Sequence, residues 1–115
     1  MYEYDATLVR VIDGDTYVLD IDLGFYVHTV QHVRLAGIDC PEHNTPEGIA
    51  AAVFATTWFA LANNEVRLFT TPAQPKTFDR WVGTITCAVM RAAGPADLAR
   101  ALRANGHFKP IEHLG

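Results

Sequence analysis

Three carboxylates and one arginine within the first 42 residues carry the clearest chemistry in this sequence. Asp15 follows a turn signal, and Asp39 and Glu42 follow a Val-rich run that contains Arg34. Two carboxylates that meet at one place, with a backbone carbonyl and waters, make a hard oxygen site suited to Ca²⁺ at about 2.3–2.6 Å per ligand. A third carboxylate beside them can orient or deprotonate a water. We therefore expect a metal site next to an arginine that can reach a phosphate.

These side chains can meet only if the surrounding strands bring them together. The residue types predict β-strands over 6–12, 16–22 and 25–38, with turns at Asp13-Gly14 and Leu23-Gly24. Alternation in the second strand places on one face Tyr17, Leu19 and Ile21. In a meander of three strands, the start of the second and the end of the third lie at the same end of the sheet. Asp15 and Asp39 are therefore expected to converge.

A helix should follow this meander, because Pro41 stops the third strand and the next residues form a helix start. Thr45 is a good N-cap, Pro46 suits the first helical position, and the helix is expected to run to about residue 62. Further strands are predicted over 65–70 and 81–90, and a second helix, opened by Gly94-Pro95 with Asp97 three residues after Gly94, should end at Gly106. The order β-β-β-α-β-β-α predicts an α+β, mainly β, single domain over 1–115. By analogy it is a five-stranded OB-fold barrel with a helix between strands three and four and a C-terminal helix.

The composition is that of a globular chain, since 50% of the residues are hydrophobic and 19% are charged. The net charge of −4 argues against broad attraction to polyphosphates, although seven of the nine basic residues are Arg, the better bidentate phosphate ligand. Two cysteines make no disulfide framework, which favours a reducing compartment. Neither a signal peptide nor a run of about 20 apolar residues is evident, so a cytoplasmic location is expected.

Two sequence blocks closely resemble those of the staphylococcal-nuclease-like family, the thermonuclease-like hydrolases. The first is Val11-Ile12-Asp13-Gly14-Asp15-Thr16, and the second is Val33-Arg34-Leu35-Ala36-Gly37-Ile38-Asp39-Cys40-Pro41-Glu42. A weaker third block is similar at Thr77-Phe78-Asp79-Arg80-Trp81, and residues 97–109 resemble the family's second helix and the glycine after it. The resemblance covers nearly the whole chain and implies an OB-fold that cleaves DNA and RNA with Ca²⁺.

The resemblance also assigns roles to individual residues. It implies that Asp15 and Asp39 are Ca²⁺ ligands, that Cys40 supplies a backbone carbonyl to the same ion, and that Glu42 acts on the attacking water. The family often has Thr at the Cys40 position, but only a carbonyl is needed there.

By the same resemblance, Arg34 and Arg80 bind the phosphate and stabilise its transition state. Lys76 and Phe78 are expected to contact substrate. A Tyr-Gly pair precedes the arginine in the type member, whereas this chain has Phe78-Asp79, so Phe78 can stack on a base but has no hydroxyl to donate. A metal and two arginines that neutralise charge on phosphorus while a positioned water attacks make a coherent mechanism.

Several structural readings compete with this one. Asp13 and Asp15 can be turn formers, and an arginine in a strand often extends to solvent. Cys40-x-x-His43 has zinc-ligand spacing, but no second pair is evident. The main rival function is a catalytically weak OB-fold module that binds nucleic acid or protein, and a structural or assembly protein that uses the apolar first helix is a third.

The first helix is apolar nearly all round. Its positions predict that one broad face packs on the barrel, while Phe59 lies on the other side among alanines. The residues of the predicted barrel face are Ile49, Ala50, Val53, Phe54, Trp58 and Leu61. An exposed apolar side usually marks a contact surface. We therefore expect a homodimer through the Phe59 side of this helix, unless residues 107–115 fold back and cover it with Phe108 and Ile111.

Overall fold

A computed structural model describes residues 2–70, 81–87 and 97–109 as a closed β-barrel with two helices. The elements are β1 (Tyr2–Asp13), β2 (Thr16–Gly24), β3 (Val27–Leu35), α1 (Pro46–Leu61), β4 (Glu65–Thr70), β5 (Trp81–Thr86) and α2 (Leu98–Ala104). The strand order around the barrel is β1-β2-β3-β5-β4, with β3 and β5 parallel and every other pair antiparallel. The predicted α+β class, with an OB-fold-like barrel and α1 between β3 and β4, is confirmed.

The predicted helix boundaries follow from local capping chemistry. Thr45 is the N-cap of α1, and its side-chain oxygen accepts a hydrogen bond from the backbone N–H of Gly48 at 3.0 Å. Asp97 does the same for α2, accepting from Arg100 N–H at 3.2 Å. A capped N-terminus satisfies one of the free donors of the first turn, which is why these residue types mark helix starts so well. None of the described helices is long and apolar enough to cross a membrane.

The face of β2 that packs into the barrel core is the one that its alternation predicted. Tyr17, Leu19 and Ile21 are fully buried and pack with the inner residues of β3 and β4. The third strand is shorter than the predicted span 25–38, because it begins after a two-residue turn and ends at Leu35. Gly37, whose φ is +82°, then leads the chain away from the barrel wall into the loop that precedes α1.

The face that α1 turns to the barrel differs from the predicted one. Its buried residues are Gly48, Ala51, Ala55, Trp58 and Phe59, whereas more than half of each side chain is exposed at Ile49, Val53 and Leu61. Small residues occupy the buried face because the helix lies very close to the barrel end. A Cβ added to Gly14 would lie 2.7 Å from the Cβ of Ala51. Hydrophobic ranking alone selects the larger side chains, which is right for the buried Trp58 and wrong for Ile49, Val53 and Leu61.

The predicted dimer surface is therefore inside the protein. Phe59 is fully buried and makes edge-on ring contacts with Tyr17 at 5.1 Å and Trp58 at 5.4 Å between centroids. Placing Phe59 on the outer side of the helix was wrong, and the expected homodimer stays a prediction. The segment after α2 does contact α1, but through His107, whose ring lies 4.9 Å from that of Phe54; Ile111 lies outside the described residues.

The β2–β3 turn carries two aromatic residues in an unfavourable backbone conformation. Phe25 and Tyr26 have φ values of +53° and +64°, and their exposed fractions are 96% and 100%. Positive φ at both central residues is the signature of a type I′ hairpin turn, in which Asn-Gly is the preferred pair. The Asp22 side chain supports the turn by accepting a hydrogen bond from Gly24 N–H at 2.8 Å. The turn therefore strains the backbone without burying the two rings.

We predict that the double substitution Phe25→Asn and Tyr26→Gly stabilises the protein. Asn tolerates the left-handed conformation better than Phe, and Gly adopts it freely, so the relief at both positions should outweigh the entropy cost of the new glycine and raise the free energy of unfolding by about 1 kcal/mol. Urea denaturation monitored by circular dichroism measures it. The matched control, Phe25→Ala with Tyr26→Ala, removes the rings but keeps both β-carbons and should change little. An unchanged unfolding midpoint in the Asn-Gly variant would contradict the prediction.

Candidate active site

Asp15 is held at the start of β2 by a tightly packed turn. Gly14 has room for no side chain, since an added Cβ would also lie 3.1 Å from the side chain of Cys40. The hydroxyl of the buried Tyr17 donates a short hydrogen bond to the Gly14 carbonyl. The turn before Asp15 is thereby locked to the barrel interior below it and to the loop after β3, so the direction of the carboxylate is set by the fold.

The Asp15 carboxylate is buried and almost fully hydrogen-bonded. Its Oδ2 accepts from the backbone N–H of Cys40 at 3.0 Å and from Arg34 Nη1 at 3.4 Å, while Oδ1 accepts from the Thr16 hydroxyl at 3.2 Å. Only 9% of its side chain is exposed. Burial of a charge is costly unless it is paired and hydrogen-bonded, and this carboxylate has both kinds of partner. Asp15 is therefore far more than a turn former.

Arg34 joins the two predicted metal ligands. It pairs with Thr16 in the β2–β3 register, so its side chain starts beside Asp15. Its Nη2 donates to Asp39 Oδ1 and to the Ile38 carbonyl, both at 3.3 Å, in addition to the Asp15 contact. The predicted convergence of Asp15 and Asp39 is thus present, and one guanidinium lies between them, with about a quarter of its side chain exposed.

Asp39 is the most exposed residue of the Asp15–Arg34–Asp39 group. Its side chain is 62% exposed, and its Oδ2 lies 3.8 Å from the Nζ of Lys109. Its backbone carbonyl accepts a hydrogen bond from Lys109 N–H at 2.7 Å, which ties the segment after α2 to the loop after β3. Lys109 was not among the predicted site residues. The signal was its position three residues after the helix-ending Gly106, but only the folded chain shows where that segment lies.

Cys40 takes part through its backbone and is chemically quiet at its side chain. The N–H that binds Asp15 is buried, and its Sγ donates to the His107 carbonyl at 3.2 Å. Burial, reinforced by the negative charges of Asp15 and Asp39, raises the pKa of the Cys40 thiol from its ordinary value of 9.0 to about 12. The thiol is therefore protonated at neutral pH and is neither a nucleophile nor a ready metal ligand.

Glu42 lies on the rim of the same loop. It is exposed, and its backbone carbonyl accepts from the N–H of Thr45 at 3.1 Å and from its hydroxyl at 2.8 Å. The same carbonyl closes over Gly48, where an added Cβ would collide with it. Within the ranges that the structure describes, no hydrogen bond or ion pair restrains its carboxylate. The helix start thus fixes the Glu42 backbone and leaves its side chain free to approach a ligand.

Asp13 and His43 contact each other beside the turn that precedes Asp15. A buried Oδ1 of Asp13 lies 2.9 Å from His43 Nδ1, in a geometry that is an ion pair when the imidazole is protonated but not an aligned hydrogen bond. No group of three or more His, Cys, Asp and Glu side chains among the described residues is arranged to hold a metal ion. A zinc site on Cys40 and His43 therefore gains no support, and a metal would have to rely on two carboxylates.

Part of the predicted site falls outside the described residues. Arg80, Lys76 and Phe78 all belong to the span 71–80. Trp81, the residue after Arg80, pairs with Val33, the neighbour of Arg34 in β3.

A cavity of about 500 Å³ adjoins the Asp15–Arg34–Asp39 group and is lined by Arg34, Gly37, Ile38, Asp39, Arg103, Phe108 and Lys109. Another cavity, of about 400 Å³ and rich in acidic residues, lies toward the β2–β3 hairpin end and contains no predicted site residue.

Comparison with known proteins adds no assignment to this geometry. No protein-family model matches the chain, and no curated protein matches it.

The buried state of Cys40 predicts low reactivity and an alkaline weakness. Iodoacetamide should leave Cys40 unmodified in the folded protein at pH 8 and modify it in guanidinium, as peptide mass spectrometry would show. Above about pH 9 the unfolded chain releases this proton while the folded chain keeps it, so the free energy of unfolding should fall as pH rises from about 9 toward 12. Rapid alkylation of folded Cys40 at pH 8 would contradict this picture.

Proposed function

We propose that the protein is a Ca²⁺-dependent nuclease that hydrolyses phosphodiester bonds of DNA or RNA. The observation that carries the proposal is the Arg34 guanidinium between Asp15 and Asp39, at 3.4 and 3.3 Å, where β2 begins and the loop after β3 turns. Two carboxylates and an arginine from the two most specific family-like blocks therefore meet at one place. Chance turn formers and solvent-facing arginines would not require this convergence.

The donor set fits a calcium ion. Asp15 and Asp39 direct oxygens toward one positive group, so they are oriented to share a cation, and hard carboxylate oxygens are the ligands that Ca²⁺ prefers. Asp15, Asp39 and, by the family resemblance, the Cys40 carbonyl would hold it. Bound there, the ion would supply positive charge to a phosphoryl oxygen and make a nearby water more acidic.

The chain's own groups would do the remaining work. Arg34 has five N–H donors and uses three of them on Asp15, Ile38 and Asp39, so it would donate the others to the phosphate oxygens. Glu42, whose carboxylate is exposed and unrestrained within the described chain, would accept the proton of the attacking water. Trp81 pairs beside Arg34 in the barrel wall, which supports assigning Arg80 to the same phosphate. Lys76 and Phe78 remain proposed substrate contacts.

The same contacts also favour a second function. Arg34 is already neutralised by two carboxylates, and the structure gives Glu42 no contact with that group in the described part of the chain. An OB-fold module that binds nucleic acid or protein with little or no catalysis would tolerate both features. The two functions differ in one measurable property, which is turnover in the presence of Ca²⁺.

The nuclease proposal predicts strict dependence on added calcium. Cleavage of single-stranded DNA and RNA should appear with millimolar Ca²⁺ and stop with EDTA, because the phosphate charge is then uncompensated. With only two carboxylate ligands, the ion should bind weakly without substrate, with a dissociation constant of about 10⁻⁴–10⁻³ M. Mg²⁺ should support little cleavage. Full activity in EDTA would overturn the metal assignment, and oligonucleotide binding without any cleavage would favour the binding module.

Substitutions at Arg34 and Glu42 should separate phosphate binding from proton transfer. Arg34→Ala should lower kcat by about 10³-fold or more, as arginines that stabilise phosphoryl-transfer charge do elsewhere. Glu42→Gln should slow turnover while leaving Ca²⁺ binding, measured by calorimetry, nearly unchanged. The exposed Arg10 of β1 provides a control, and Arg10→Ala should match the unsubstituted protein. Wild-type rates in folded Arg34→Ala protein, checked by circular dichroism, would reject the site.

A further inference from the structure

The outer face of α1, all of it within the described residues, carries no charged side chain. At about 100° per residue, the positions opposite the buried ones cover an arc of about 140° along the whole helix. The only charged residue of α1 is Glu47, in its first turn. A helix face turned to water normally carries charged or strongly polar groups, so this one is exposed without suiting water. Its exposed side chains include Ile49, Ala50, Val53, Thr57, Ala60 and Leu61.

The outer face of α1 is continuous and largely apolar. The exposed fractions of Ile49, Val53 and Leu61 are 56%, 58% and 55%. Thr56, on the same face, donates its hydroxyl hydrogen to the Ala52 carbonyl at 2.8 Å, so its polar group is satisfied inside the helix. Single exposed apolar residues are ordinary, but a contiguous patch of roughly 500 Å² is the size that usually has a function on a monomer. The outer face is therefore a contact surface.

The outer face has nearly the same residues in both chain directions. Its centre is Ala55, and positions at equal distances before and after it carry side chains of similar shape. A twofold interface places residue i against residue j and residue j against residue i, so a face with this symmetry is complementary to a second, antiparallel copy of itself. Small residues between large ones also let two helices approach closely. The matched pairs are Ile49 with Leu61, Ala50 with Ala60, and Val53 with Thr57.

Charge favours the same antiparallel arrangement. The chain carries a net charge of −4, so two copies repel each other except where a surface has no charge. In a parallel pair the two Glu47 carboxylates would be neighbours. In an antiparallel pair centred on Ala55 they lie about 24 Å apart along the helix axes, well beyond the screening length of about 8 Å at physiological salt. The helix dipoles also oppose each other favourably in that arrangement.

We propose that a second copy of this chain docks on the outer face of α1, with the two helices antiparallel and Ile49 of one copy against Leu61 of the other. Two such faces would bury about 1,000 Å² in total, which is the lower limit for a specific interface. The dimer is therefore weak, with a dissociation constant of about 10⁻⁶–10⁻⁵ M. The homodimer expected on the Phe59 side is thus assigned to the opposite side of the helix. No residue of this surface belongs to the Asp15–Arg34–Asp39 group, so the proposal does not depend on the proposed function.

Sedimentation equilibrium of the full chain tests the proposal directly. Between about 0.5 and 200 µM, a range that spans the expected dissociation constant, the average mass should rise from 12.7 kDa toward twice that value. A monomer at every concentration would overturn the proposal and leave the outer face to another occupant, such as residues 110–115 or a different protein. Growth beyond a dimer would also overturn it, because a twofold interface is closed by two copies.

Val53→Lys and Val30→Lys form a matched pair of variants. Both valines are 58% exposed, but Val53 lies near the centre of the outer face and Val30 lies on β3. Val53→Lys should raise the dissociation constant at least about tenfold, because interface centres exclude charge. Lysine forms helix better than valine, so the variant should fold, as circular dichroism would show. Val30→Lys should dimerise like the unsubstituted protein. Equal losses in both variants, or no loss in Val53→Lys, would overturn the proposal.

Disulfide trapping tests the orientation of the two copies. Ile49→Cys and Leu61→Cys proteins are mixed in equal amounts and oxidised gently, and peptide mass spectrometry identifies the linked positions. The native Cys40 and Cys87 are buried, so the introduced thiols are the ones expected to react. The link between positions 49 and 61 should exceed both the 49–49 and the 61–61 links by more than the statistical ratio. Dominant 49–49 and 61–61 links, or a statistical mixture of all three, would overturn the antiparallel dimer.

Discussion

The contact of Arg34 with Asp15 and Asp39 is the interaction on which the candidate site depends. It requires the β2–β3 register that pairs Thr16 with Arg34. A shift of β3 by one residue would turn the Arg34 side chain toward the core and so away from Asp15. Neither carboxylate is close to the other in sequence, and Asp15 is buried. A lone buried carboxylate would be costly, so the arginine that prepares the site also makes it compatible with a folded barrel.

Close packing of α1 supplies the second constraint. Gly14 and Gly48 lack side chains where Ala51 and the Glu42 carbonyl approach, so the helix start, the Asp15 turn and the loop after β3 form one packed unit. The buried rings of Trp58 and Phe59 anchor the other end of the helix against the barrel. Because interiors at this density do not deform easily, the positions of Asp15 and Cys40 are set by helix packing as well as by strand pairing.

The local distribution of charge matters more here than the net charge. The acidic balance of the chain opposes general attraction to nucleic acid, yet the cavity beside Asp39 is lined by three cations. Four acidic residues line the other cavity, at the β2–β3 hairpin end. A protein arranged this way would repel polyphosphates over most of its surface and attract them at one place, which favours orientation over bulk affinity.

Local chemistry alone determined much of this protein. The cap Thr45, the alternation of β2 and the span Glu65–Thr70 were predictable because short-range hydrogen bonding and a period of two leave few alternatives. The convergence of Asp15 and Asp39 followed from strand connectivity. Only the tertiary structure decided which face of α1 is buried, since apolar residues surround that helix and the choice depends on how closely its alanines let it approach. It alone also brought Lys109 to Asp39, because a long-range backbone hydrogen bond leaves no pattern in the sequence.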